Sequence, residues 1–487
     1  MARSLPSSRG LPRPGRPTAA PLLACLALLA GTAPALAHGA QGAIILLLPT
    51  GYYLAGGAVA VAASFLLLAA VPAAAVARLA RLELSLGSLP RLSPVVPSLL
   101  SFLFMAALIA AGVWGSRDPL SNPLPLFVWT LWWVGFTLLQ AVTGELYTLL
   151  NPWSGPLALL RLVTRSQLGA RPLAPLPAAV GYLPAILLFL AFAWFELVDL
   201  APSDPWRLAV AVAGYWVFTL VAMILFGEAE WTARGEPFAI FFRLVGAMSP
   251  LVRRATEDGQ RIAFTLAWPG RALIERPPLP PTGVLFVLLT LASVSFDGLS
   301  RTFAWLGVIG INPLDFPGRS GVQGANTLGL VAAFAVLAGL FLVAAAAGRP
   351  WFGDVRLWPA AGRLVHSILP ISIAFHASHY LTALLIDAQN AYAAFSDPYA
   401  LGWDLFGLGH FHVTTSFLNT FEGVTLIWNA QTAVICIGHI VGIAMAHVIA
   451  LRLFGDRAAA LTQLALAALM VAYTAFGLWL LSAPVAG

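Results

Sequence analysis

The stretch LVHSILPISIAFHASHYLTALLID, residues 364–387, decides the fold class of this chain. At ~1.5 Å of rise per residue it is long enough, as a helix, to cross the roughly 30 Å hydrocarbon layer of a bilayer. It nevertheless carries His366, His376 and His379. A second run, VTLIWNAQTAVICIGHIVGIAMAHVIA at 424–450, is as apolar and carries His439 and His447. An imidazole at such depth must find a partner without water, so the five are functional candidates as well as candidates for buried hydrogen bonds between helices.

Working outward, the rest of the chain has the same character. Hydrophobic residues make up 60% of it, charged residues 9%, and the mean hydropathy is +0.86. This composition excludes an ordinary soluble enzyme and places the chain among all-α, polytopic helical membrane proteins. The formal charge of +6 comes from arginine alone among the basic residues, and their placement beside membrane spans explains it without a nucleic-acid partner.

Residues 1–37 read as a cleaved signal peptide. Arg3, Arg9, Arg13 and Arg16 form a basic region, Pro21 to Ala30 an apolar one, and Ala35-Leu36-Ala37 a small-x-small cleavage site. His38 would then be the mature N-terminus, able to offer an amine and a ring nitrogen to a metal such as copper. Cys436 would be the one remaining cysteine, so no disulfide framework is possible.

The mature chain, 38–487, reads as one helical membrane domain with about ten spans, at 52–76, 94–114, 124–144, 177–198, 207–227, 281–299, 325–347, 364–387, 424–450 and 460–483. With the mature N-terminus outside, eighteen arginines fall in inner segments and four, Arg117, Arg207, Arg301 and Arg319, in outer ones. The positive-inside rule requires such an asymmetry, and it predicts a bacterial inner-membrane protein with both termini periplasmic. The long inner loop, about 228–280, contains Pro237 to Val252. Its amphipathic pattern predicts a helix lying along the membrane surface with Phe238, Phe241, Phe242 and Leu244 inward. The long outer loop, about 388–423, carries Asp397, Asp404, His410, His412 and Glu422; it reads as a solvated acidic loop or the cap of an outward-facing site.

Counting residues along the two histidine-bearing spans puts His376, His379 and His439 near one middle level, and His366 with His447 at a second level nearer the inner face. The thirteen residues from His366 to His379 amount to roughly 20 Å of helix, too far for one metal. Among the carboxylates, Asp297 lies in Ser293-Val-Ser-Phe-Asp-Gly298, where small and hydroxylic neighbours permit close helix contact. Two imidazoles and one carboxylate with an open position would suit a catalytic divalent metal. That assigns His379, His439 and Asp297 as ligands, with Glu196 or Asp387 as a base or an orienting group. Facing histidines also suit a single haem, with His379 and His439 as axial ligands.

Several stretches resemble the bacterial integral membrane proteins named after fenitrothion hydrolase, over nearly the whole mature chain. They are His38-Gly39, Asn122-Pro-Leu-Pro-Leu-Phe-Val-Trp129, Gly144-Glu145 with Asn151-Pro-Trp153, Glu230-Trp-Thr-Ala-Arg-Gly-Glu236, Ser295-Phe-Asp-Gly298, His366-Ser-Ile-Leu-Pro370, His379-Tyr380, Ser396-Asp-Pro398, and Gly438-His-Ile-Val-Gly442 with Ala446-His447. The resemblance implies hydrolysis of an apolar organophosphorus triester with release of a nitrophenol. A metal-bound water of pKa near ~7 would be a competent nucleophile for it. A transporter or metal-handling permease, a single-haem electron-transfer subunit, and a protein that works with a second membrane subunit are the other readings of the same histidines.

Overall fold

Proline and side-chain caps set where the helices begin. The computed structural model describes residues 45, 47–79, 81–409 and 411–486; the signal-peptide reading of 1–37, His38 and His410 lie outside the described residues. The first span is α1, Thr50–Ala70, and the second α2, Val95–Trp114. Next, α3 (Pro123–Thr143) opens on Asn122, whose Oδ1 accepts from the Leu124 amide at 3.0 Å while Nδ2 donates to the carbonyls of Ala111 and Ser116. Asn122 is wholly buried, so this one amide pins the turn between α2 and α3. Within α3, Leu126–Phe136 winds as a π-helix, with the wider turn that such segments bring to functional regions.

Then come α4, Leu183–Leu197, and α5, Pro205–Phe226, capped by Asp204. After two short helices, α6 (Glu228–Arg234) and α7 (Pro237–Gly246), the spans resume with α8 (Pro281–Ser300), α9 (Arg319–Ala347), α10 (Leu369–Ser396), α11 (Phe421–Phe454) and α12 (Leu464–Ser482). Among the described residues nine helices are long and apolar enough to cross a membrane. The chain is thus a multi-pass helical membrane protein. The fourth expected span, 177–198, is represented by α4, which is helical but has only fifteen residues, about 22 Å, short of the hydrocarbon thickness. α8 is the innermost strut: 78% of its apolar window is buried, against 17% for α1.

Close contact between α10 and α11 depends on glycine. A Cβ at Gly438 would stand 2.3 Å from Ala374 Cβ, and one at Gly442 would stand 2.8 Å from the Ser367 carbonyl. The Gly-xxx-Gly spacing therefore lets the two backbones touch, the usual device where apolar lipid supplies no drive for helix association.

The arginine-rich end differs from expectation in two ways. First, a three-stranded antiparallel sheet lies there, with β1 (Glu83–Pro90) at one edge, β2 (Leu251–Ala255) at the other and β3 (Arg261–Ala267) between them. Glu83 pairs with Ala267 and Leu251 with Leu266. Second, α7 is not a surface helix. Phe238, Ile240, Phe241, Phe242, Leu244 and Val245 are all buried, and only the face with Ala239 and Arg243 is half-buried. Phe238 packs edge-on against Trp132 and Phe192, while Gly246 rests against Glu145 at the arginine-rich end of α3. At its other side α6 runs back along α5, with Trp231 against Phe226 and Phe218. Together α6 and α7 form a re-entrant hairpin whose tip, Gly235-Glu236, reaches Tyr215, the middle residue of α5. Ten residues cannot span a bilayer, but they can dip into one where protein encloses them.

Candidate functional site

Toward the arginine-poor end, α4, α8 and α10 bring three predicted residues together around one that was not. Asp297 sits three residues before the end of α8, and Glu196 is the penultimate residue of α4. His379 Nε2 lies 2.8 Å from Asp297 Oδ2. The Tyr380 hydroxyl stands 2.8 Å from the same carboxylate oxygen and 3.1 Å from Glu196 Oε1. One phenol therefore bridges two carboxylates, and one carboxylate oxygen takes both the phenol and the imidazole.

This geometry fixes the imidazole's tautomer. A carboxylate only accepts, so Nε2 carries the proton and Nδ1 is left as a base. Nδ1 faces Gly298, where even an added Cβ would stand 3.7 Å away. The side chains of His379 and Asp297 are 21% and 16% exposed, so the pair is enclosed but reachable. Around it, Phe375 stacks on the His379 ring, and Arg319 donates from Nη1 to the carbonyls of Glu196 and Asp199, closing the end of α4.

The other sequence candidates lie elsewhere. His439 donates from Nδ1 to the Ile435 carbonyl at 2.8 Å, one turn back on its own helix. Its neighbour Gly438 packs on Ala374, five residues or about 7.5 Å of helix from His379. His439 therefore does not join His379 and Asp297, because residue counting gives a level along a helix and not the direction a side chain faces. The expected pair of His366 and His447 does not form: His447 Nδ1 bonds Gln463 Nε2 at 2.7 Å, and both ring nitrogens of His366 are buried without a hydrogen-bond partner. His376 packs beside the cluster but bonds from Nε2 to the Trp133 carbonyl in the π-helical stretch. Asp387, seven residues beyond Tyr380, takes a bond from Asn390 at 3.3 Å and is not joined to Glu196.

Among the described residues no three His, Cys, Asp or Glu side chains are placed to hold a metal ion. The donor set His379, His439 and Asp297 does not fit a divalent metal, and no chemical step below passes through one. A haem between His379 and His439 does not fit either, since α10 and α11 touch at Ala374 and Gly438.

Sequence reasoning missed Tyr380, although it adjoins His379 in one of the quoted stretches. It also missed an aromatic cleft of about 810 Å³ between α2, α3, α4 and α5, lined by Phe127, Trp129, Trp132, Phe192, Phe195 and Trp216 among others. Phe195 is the chain neighbour of Glu196, so the cleft runs beside the α4 wall of the cluster. No protein-family model, curated protein or solved structure matches this chain.

Proposed function

We propose that the chain is a bacterial inner-membrane hydrolase of apolar organophosphorus triesters of the fenitrothion type. The observation that carries this reading is the bond from His379 Nε2 to Asp297 Oδ2, which leaves an imidazole nitrogen free as a general base in a partly enclosed site. The resemblance in sequence supplies the substrate class. With the arginine-rich end cytoplasmic, the cluster opens toward the periplasm.

In this mechanism, His379 Nδ1 takes a proton from water as the water oxygen attacks phosphorus. A new P–O bond forms, the bond from phosphorus to the aryl oxygen breaks, and the electron pair leaves on nitrophenolate. Asp297 stabilises the imidazolium that results, and the proton then passes to solvent. Nitrophenolate is a good leaving group, so no acid is needed on that side. A positioned base of this kind contributes roughly 10²–10⁴-fold. Tyr380, held by Asp297 and Glu196, fixes the carboxylate that orients the base. Neutral triesters partition into lipid, and the aromatic cleft offers their aryl ring a surface at membrane depth.

The test is nitrophenol release from fenitrothion by membranes containing the chain, beside His379→Ala and Asp297→Asn at equal protein level. Turnover that both variants abolish supports the reading; an inactive parent removes it.

A further inference from the structure

The re-entrant hairpin places a second carboxylate, remote from Asp297, deep inside the protein. Glu236 is fully buried at the hairpin tip. Its Oε1 accepts from the Tyr215 hydroxyl and from the Phe238 amide, and its Oε2 accepts from the Ala239 amide. Tyr215 is the eleventh of the 22 residues of α5, which puts Glu236 about 16 Å from either end of that helix. No cation bonds it. Arg243, the basic residue of its own helix, donates to the carbonyls of Thr232 and Ala233 and reaches Glu236 only through its charge. On α6, Glu228 is paired with Arg161 and Glu230 with Arg234. Tyr147, on the short helix Tyr147–Leu150, is the other titratable group close to Glu236. From α3 and α4, Trp132, Phe189 and Phe192 pack on Phe238 just beyond the hairpin tip and Trp133 packs on Phe241, with His376 of α10 behind Trp133.

A cavity approaches Glu236 from one side. A cavity of about 810 Å³ is lined by both Arg161 and Glu228 near the arginine-rich end and by Tyr147, Glu236 and Ala239 at depth. Beyond Glu236, toward the arginine-poor end, Trp133, Phe189, Phe192, Phe238 and Phe241 pack ring against ring, and the aromatic cleft that Tyr147, Tyr215 and Phe238 also line has almost wholly apolar walls, with no chain of polar groups among the described residues to carry a proton. An ionised carboxylate at such depth is costly, and the helix N-terminus it caps offsets only part of that cost.

We propose that Glu236 is an intramembrane proton-binding site that exchanges protons with solution at the arginine-rich face through this cavity and not with the opposite face. On protonation, Oε1 donates to Tyr215, whose hydroxyl turns from donor to acceptor; the two amide bonds persist. The inference does not depend on the hydrolase reading, and it gives the chain a protonatable station of the kind that proton-coupled membrane proteins use.

The experiment uses the full chain in vesicles of known orientation. Dicyclohexylcarbodiimide attacks protonated carboxyls in apolar surroundings, and the modified residue is read by peptide mass spectrometry. Labelling at Glu236 should fall several-fold as pH is raised on the arginine-rich side and stay unchanged when pH is raised only on the other. In parallel, a Thr148→Cys or Ala239→Cys side chain should react with a membrane-impermeant thiol reagent from the arginine-rich side alone. Labelling that ignores pH on the arginine-rich side, or cysteines reached only from the other side, overturns the proposal. Neither readout requires a Glu236 variant to fold, and neither depends on triester turnover.

Discussion

Asp297 Oδ2 and His379 Nε2 meet at 2.8 Å across two helices, from positions 82 apart in the chain. The contact makes a base of the imidazole nitrogen that Asp297 does not touch. Asp297→Asn offers the ring an amide in place of the carboxylate and no longer stabilises an imidazolium. It should lower nitrophenol release by about 10²-fold or more, with protein level and thermal transition little changed. Equal loss of folded protein and of activity would instead mark Asp297 as structural.

His439 makes the opposite prediction. Its one bond is to a carbonyl of its own helix, so His439→Ala should keep triester turnover within a few-fold of the parent. Gly438→Val, one residue away, should lose folded protein, because added carbons meet Ala374 where no space exists; overpacking costs about 1–3 kcal/mol. Thermal unfolding in detergent separates the two.

Asn122→Ala removes three hydrogen bonds at a wholly buried site; the Ala111 carbonyl keeps the Gly115 amide, while the Ser116 carbonyl loses the Asn122 donor. The loss should be about 2–4 kcal/mol, seen as a lowered thermal transition, while Asn122→Asp should recover only the cap on Leu124.

The acidic outer loop carries a pH dependence. Asp404 accepts from the amides of Gly409 and Leu408 and from Ser396 Oγ, which holds its carboxyl below the usual carboxylate range. A depressed folded-state pKa means that the contribution is complete above the ordinary aspartate pKa and is lost as pH falls through the folded value. Pepsin should therefore cut near Leu405-Phe406 only at the acid end of its range in the parent. In Asp404→Ala, cutting should extend to higher pH. Identical pH profiles would show that Asp404 does not hold the loop.

The spans, and three members of the cluster, were legible in the sequence for a shared reason: twenty apolar residues around one charged group leave few alternatives in lipid. Glu196, Asp297 and His379 stand out against such a background. Tyr380 does not, because a tyrosine near a membrane boundary is common for reasons of its own. His439 was misassigned because its depth was countable while the direction it faces was not. The hairpin was misread because Phe238, Phe241, Phe242 and Leu244 give the same pattern whether the opposite side meets headgroups or protein. Buried Ile240 and Val245 tell the two apart only once the neighbours are known. The sheet had a local signal that the reading passed over, the alternation of Leu84 and Leu86 with polar residues in Glu83–Pro90.

The enclosure of α8 bears on how the protein is made. Asp297 leaves the ribosome 82 residues ahead of the histidine that will hydrogen-bond it. At roughly 5–20 residues per second that interval is about 4–16 s. During it the most inward-facing helix of the molecule has α4 beside it but not yet α9, α10 or α12. The insertion machinery must shelter a lone carboxylate for that time, and slow translation between α8 and α10 would lengthen the exposure. Synonymous slow codons across 301–378 should therefore lower the yield of folded protein, an effect that no property of the finished fold would reveal.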